Sequence, residues 1–265
     1  MATLGVAATA PLGADVLERL AARHDVSFLL TRPDRPAGRG RRPSPPAAKL
    51  VAERLGIPVL QPERLDENVE LPPETIVAAA YGALVPPALL DRQLWLNVHP
   101  SLLPRWRGAA PVERALMAGD EQTGVTIIRL VEELDAGPIA AQRAFPIAPE
   151  DDAGSVYARA AALAAELLDD VLEGDLQLRP QPEDGLTYAE KIRPAERELD
   201  LSHPPEELLN RIRALSPHIG ARANLHGRRV LVWRARIDGG ELVPVEVQPE
   251  GGRRMGYEEW LRGLR

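Results

Sequence analysis

The 265-residue chain contains no cysteine, which excludes disulfides, thiolate metal sites and a cysteine nucleophile. Its three methionines are too few for chemistry built on sulfur. The five histidines, at 24, 99, 203, 218 and 226, lack metal-ligand spacing, so no metal is expected. No apolar run reaches membrane-spanning length, and no charged-then-apolar leader is present. Internal repeats and prion-like tracts are absent too. These absences lead to the expectation of a soluble, cytoplasmic protein without membrane or metal partners.

What is present supports a packed interior, because 45% of residues are apolar. The net charge of −7 argues against a general nucleic-acid coat. Cations are nevertheless concentrated. Residues 32–49 hold six against one anion, and residues 226–265 hold eight arginines against six acids. Local patches of this kind engage phosphate even on an acidic protein, because screening isolates them from distant charge. Solvated loops are the plain alternative.

Apolar segments alternate between strand and helix periods as a parallel α/β sheet requires. Strands are expected at residues 3–8, 26–31, 58–60, 74–80, 94–98 and 124–130. Helices are expected at 13–23, 47–55, 86–91, 109–118 and 152–173. A proline- and glycine-rich loop fills 32–46. Composition changes at 174–184, where Arg179-Pro180-Gln181-Pro182-Glu183-Asp184-Gly185 reads as a linker. Beyond it come a helix at 206–215, a hairpin of strands 229–237 and 241–247 about Asp238-Gly239-Gly240, and a last helix at 257–264.

The most informative stretch is Asn97-Val98-His99-Pro100-Ser101-Leu102-Leu103-Pro104. Residues two apart in a strand share a face, so the Asn97 amide and the His99 imidazole point the same way. Pro100 ends the pairing, since it has no N–H to give a ladder. Two competent polar groups thus stand at a strand end, where open α/β sheets place ligands. Asp135, in Leu134-Asp135-Ala136-Gly137, offers a carboxylate in a second turn. An amide, an imidazole and a carboxylate can polarise a carbonyl, stabilise an oxyanion and move protons. That is equipment for acyl transfer. The plain alternatives are backbone satisfaction for the Asn-x-His pair and ordinary turn formation for Asp135.

The run from Asn97 through Arg105-Trp106-Arg107-Gly108-Ala109-Ala110-Pro111, continued by Gly119-Asp120 and Thr123-Gly124-Val125-Thr126-Ile127, resembles the methionyl-tRNA formyltransferase family. So do Pro33-Asp34-Arg35-Pro36-Ala37-Gly38-Arg39-Gly40, Ala80-Tyr81-Gly82, Leu134-Asp135-Ala136-Gly137 and Thr187-Tyr188-Ala189-Glu190-Lys191, in the family's order. The resemblance implies a Rossmann-like catalytic domain at 1–180, a linker at 181–195 and a shortened OB-like domain at 196–265. It implies 10-formyltetrahydrofolate as donor and initiator methionyl-tRNA as acceptor, with the protein a monomer. Carried over, Asn97, His99 and Asp135 are catalytic. Tyr81, Gly82, Ala83, Leu84, Val85, Ser101, Leu102, Leu103 and Pro104 face the folate, and Arg35, Arg39, Arg41 and Arg42 face the tRNA. Trp106 stacks on a base or lies buried; both readings stay open.

Two departures stand out. The family's first βα turn reads like Phe-x-Gly-Thr-Pro-x-Phe, whereas this chain has Val6-Ala7-Ala8-Thr9-Ala10-Pro11-Leu12. The C-terminal segment also shows only two clear strands, where an OB barrel needs five. An isolated hairpin is marginal in water, so this one is expected to pack on the helix at 206–215. The shortening favours a rival reading somewhat, transfer to a small amine such as a nucleotide-linked amino sugar. Against it stand the arginines of the 32–42 loop, superfluous for a small acceptor. A formate-releasing hydrolase and a non-catalytic RNA- or folate-binding relic are further alternatives.

Overall fold

A computed structural model describes residues 1–37, 42–72 and 75–264. β1 (Thr3–Ala8) leads through α1 (Pro11–Ala21) to β2 (Asp25–Leu30), then to β3 (Arg35–Ala37) and β4 (Arg42–Ser44). α2 (Ala47–Leu55), β5 (Val59–Leu60), β6 (Thr75–Ala79), α3 (Pro87–Arg92) and β7 (Trp95–His99) follow. The short β8 (Arg107–Gly108) and α4 (Pro111–Ala118) precede β9 (Gln122–Arg129), β10 (Ile139–Pro146) and the 21-residue α5 (Ala153–Glu173). After β11 (Tyr188–Ala189) come α6 (Pro205–Leu215), β12 (Ala221–Leu225), β13 (Arg228–Asp238), β14 (Glu241–Pro249), β15 (Met255–Gly256) and α7 (Tyr257–Arg262).

The main sheet runs β10-β9-β7-β6-β1-β2-β5. β1 pairs in parallel with β2 and β6, as do β2 with β5 and β6 with β7, while β7 meets β9 antiparallel. The strand order reverses between β1 and β6, and crevices for ligands open at the carboxyl ends of strands at such a point. Leu4, Val6, Leu29, Val77 and Leu96 are fully buried or nearly so. Ala7, Phe28, Leu30, Ile76, Ala78 and Trp95 share a second cluster. Strands covered on both faces read as continuous apolar runs, which is why they are recognisable in the sequence.

One expectation needs correction, and one element was not expected. The 32–46 loop contains a ladder, with β3 and β4 antiparallel in the register Arg35↔Ser44. β10, to which the sequence reading assigned no element, is an edge strand of which only Ile139 is buried.

The chain forms two compact units that are not contiguous in sequence. One comprises residues 1–107, 124–144 and 158–187, the other 108–123, 145–157 and 188–265. In the second unit, β12-β13-β14-β15 form an antiparallel sheet of four strands rather than two. β12 reads Ala-Arg-Ala-Asn-Leu and β15 has two residues, so neither carries the β-branched signature of a strand. The hairpin does pack on α6: Leu208, Ile212 and Leu215 meet Ala221, Ala223, Val230, Val232 and Val247. Asp238 pairs with Glu241 across Gly239 and Gly240, both with positive φ, as a two-residue I′ turn demands. Among the described residues this is an abbreviated sheet, not a five-stranded barrel.

Candidate active site

β7 places Trp95, Asn97 and His99 on one face, and its register with β6 and β9 fixes them along the strand, with Asn97 beside Ala78 and Ile128, and His99 beside Thr126. Trp95 sits deepest, its indole N–H donating to the Leu89 carbonyl at 3.1 Å. Beyond it Asn97 is half-buried, and His99 is 4% exposed. Asp135 comes from the turn between β9 and β10. Its carboxylate lies 3.7 Å from His99 Nδ1 and 3.5 Å from Asn97 Nδ2. The three predicted side chains therefore converge. Both contacts are long for hydrogen bonds, as catalytic contacts often are before substrate binds.

Backbone strain is concentrated around this cleft. Ala80 (φ 46°), Trp106 (φ 65°) and Asp135 (φ 48°) adopt the left-handed region without being glycine. Each costs roughly 1–3 kcal/mol and persists only where surrounding bonds enforce it. For Trp106 those bonds are visible. Its N–H donates to Thr187 Oγ1 at 2.9 Å, and its carbonyl accepts from His99 Nε2 at 2.8 Å. Its half-buried ring carries the Arg105 guanidinium 4.4 Å from its centroid, a cation–π pair.

Residues 101–104 form a turn whose Ser101, Leu103 and Pro104 side chains are buried and whose Leu102 is half-buried. The Ser101 hydroxyl is spent inside it, donating to the Arg105 carbonyl at 2.7 Å. Thr126, fully buried, organises the turn: it donates to the Ser101 carbonyl at 2.7 Å and accepts from the Leu103 N–H and from Gln142. Gln142 Nε2 also donates to the Leu103 carbonyl at 2.9 Å.

Tyr81–Val85 leave β6 on the other side. Tyr81 is buried, which pushes its phenol above the ordinary value; Gly82 (φ 74°), Ala83 and Leu84 are exposed, Leu84 at 84%. The Tyr81 carbonyl accepts from Thr9 Oγ1 at 2.8 Å and the Gly82 carbonyl from Arg32 at 3.1 Å. The unusual first βα turn thus braces this loop through Thr9. An exposed apolar side chain above a turn of exposed backbone suits a flat, amphipathic heterocycle. Among the described residues no group of histidines and acids could hold a metal ion.

Of the basic loop, Lys49 pairs with Asp34 at 2.9 Å, which with Gln61 holds the Asp34 carboxyl below its usual range. Arg35 is exposed. Arg39 and Arg41 lie outside the described residues, as does the side chain of Arg42.

Sequence reasoning singled out no role for Thr126, Gln142, Gln181 and Thr187. All act through side-chain hydrogen bonds to residues distant in sequence, which leave no periodic signal.

The formyl transferase family matches residues 6–172, and the family's C-terminal domain matches 191–241. The chain belongs to the formyl transferase family. Its relatives there are methionyl-tRNA formyltransferases. The one from Halorhodospira halophila is 43% identical, covering 89% of this chain and 88% of its own. That from Thermus thermophilus is 41% identical over 94% and 92%. Among solved structures, the methionyl-tRNA formyltransferase of Clostridium thermocellum superposes with a TM-score of 0.67 at 14% identity, covering 94% of this chain and 99% of that one. The N-formyltransferase of Helicobacter canadensis, solved with folinic acid and dTDP-3-aminofucose, gives 0.70 at 16% over 97% and 99%. At those identities the likeness is one of fold.

Proposed function

We propose that this enzyme moves a formyl group from 10-formyltetrahydrofolate to the α-amine of methionyl initiator tRNA, as a cytoplasmic monomer. The observation that carries the reading is the convergence of Asn97, His99 and Asp135 at the carboxyl end of β7. Residues 1–180 do the chemistry, 181–195 connect and 196–265 form the accessory domain.

The acceptor amine has an ordinary pKa of roughly 7.7–8.0, so an appreciable neutral fraction attacks without a strong base. The harder task is the carbonyl oxygen, which gains negative charge as the amine adds. Asn97 Nδ2 donates to it. The protonated His99 ring supplies a second donor through Nδ1 and delivers that proton to the departing nitrogen, and the proton the amine gives up on becoming an amide restores the protonated ring. Asp135 balances the ring's charge and orients it. Tyr81, Gly82, Ala83, Leu84 and Val85 take the flat ring of the donor along their backbone, with the 101–104 turn as the opposite wall. The arginines at 35, 39, 41 and 42 contact tRNA phosphate.

The test is incubation with 10-formyltetrahydrofolate and either charged initiator tRNA or a panel of nucleotide-linked amino sugars, following folate absorbance and salt. Turnover confined to tRNA, with acceptor affinity falling steeply with salt, is expected, since phosphate contacts release counterions. Turnover confined to an amino sugar overturns the acceptor assignment.

A further inference from the structure

Asn97 and His99 are held by sheet register, but Asp135 is not. Its turn has exposed neighbours on one side, Val131 through Leu134, and a left-handed backbone at Asp135 itself. Something else must fix the carboxylate. Gln181 does so, from the segment whose composition reads as a linker. Its Nε2 donates to the Asp135 carbonyl at 2.7 Å and to the Gly137 carbonyl at 2.8 Å. Its Oε1 accepts from Arg107 Nε at 3.0 Å and Nη2 at 2.8 Å. Both amide protons and both lone pairs are used, so the amide cannot turn over without losing every bond.

Arg107 is buried, and its N–H donates to the Thr187 carbonyl at 2.9 Å. Its neighbour Trp106 accepts from His99 Nε2 at 2.8 Å. A closed circuit results, running from His99 to Trp106, Arg107, Gln181, Asp135 and back to His99. We propose that Gln181 is a positioning residue that sets the separation of the Asp135 carboxylate from the His99 imidazole, with Arg107 fixing the orientation of its amide. This rests on the catalytic assignment above. The guanidinium fork selects an oxygen, which directs both N–H groups at the turn. A dislocation of about 1 Å at a reacting group costs up to roughly a hundredfold in rate, so a clamp on the one loop-borne member is where precision is needed.

Gln181→Met keeps the size and removes the polar atoms. Formylation kcat is expected to fall about tenfold to a hundredfold, with the folate KM changed less than about twofold. Gln181→Glu keeps the acceptors for Arg107 but sets a carboxylate oxygen against two carbonyls. The same kcat loss is expected with the protein still folded at the assay temperature, and this variant decides alone if the methionine form does not fold. In an Asp135→Asn background, Gln181→Met is expected to lower kcat by less than about twofold, because its effect passes through Asp135. A residue serving only packing would cost as much in both backgrounds, and that result, or unchanged kcat in both single variants, overturns the proposal. If Asp135→Asn and His99→Ala themselves keep full kcat, the catalytic assignment falls instead.

Discussion

His99 Nε2 lies 2.8 Å from the main-chain carbonyl oxygen of Trp106. A carbonyl only accepts, so Nε2 must carry a proton in either charge state of the ring. Proton exchange is thereby confined to Nδ1, the nitrogen that faces Asp135. In 15N-resolved spectra of the imidazoles, the neutral His99 ring is expected as the Nε2–H tautomer. An Nδ1–H tautomer would remove the proton route drawn above.

Asn97 donates without changing charge, so its loss is felt in kcat alone. Asn97→Ala is expected to lower kcat by roughly a hundredfold to a thousandfold, about 2.7–4 kcal/mol of barrier, at unchanged folate affinity. Steady-state kinetics and equilibrium folate binding separate the two quantities. Near wild-type kcat in His99→Ala and Asp135→Asn, with folate still bound, would show that the chemistry lies elsewhere.

Arg114 grips Glu196 through both guanidinium nitrogens, at 2.5 and 3.2 Å, within the second unit. That fork holds the Glu196 carboxyl at about 2. A carboxyl lowered in the folded state contributes stability above its unfolded value, and loses it as pH falls towards the folded one. Wild type is therefore expected to exceed Glu196→Gln by about 1–2 kcal/mol at pH 6, after allowance for solvent screening. The difference vanishes between pH 4.5 and 2. Thermal unfolding against pH checks this; a constant difference would refute it.

Glu113 behaves in the opposite sense. Burial pushes its carboxyl up, more than the Tyr157 hydroxyl, 2.9 Å away, brings it down. A raised carboxyl contributes stability when protonated and loses it as pH rises through its folded value. Glu113→Gln is expected to match wild type near pH 4 and to exceed it by about 1 kcal/mol at pH 7, a rise of roughly 2–4 °C in Tm. Tyr157→Phe strips the buried carboxyl of a donor and is expected to cost about 1–3 kcal/mol. A Tyr157→Phe protein with wild-type Tm would show that the bond is dispensable.

What was legible in the sequence follows from how local the cause is. The bounds of α2 coincide with the expected 47–55 because Pro45-Pro46 precede it and Gly56, at φ 71°, closes it. The Asn97–His99 pair was legible because strand period and a terminating proline are written in consecutive residues. β10 was not, since Ile-Ala-Ala-Gln-Arg-Ala-Phe-Pro buries little and alternates weakly. β12 and β15 are defined by their neighbours rather than by their own residues. The 181–187 segment shows the same limit at the site. Proline, acids and glycine there signal no helix or strand, and that is correct. They are silent on where one glutamine amide and one threonine hydroxyl find partners.

The second unit borrows α4 from the middle of the chain, where Val112 and Leu116 are covered by Ala153, Val156 and Ala214. A nascent chain emerging from the ribosome completes the cover of that greasy helix face only when α6 is synthesised, about a hundred residues after α4. The tail is consequently no detachable appendage. Cutting the polypeptide at 195 would strand an adhesive stripe beside the catalytic turn's own continuation, and the fragment should clump rather than catalyse.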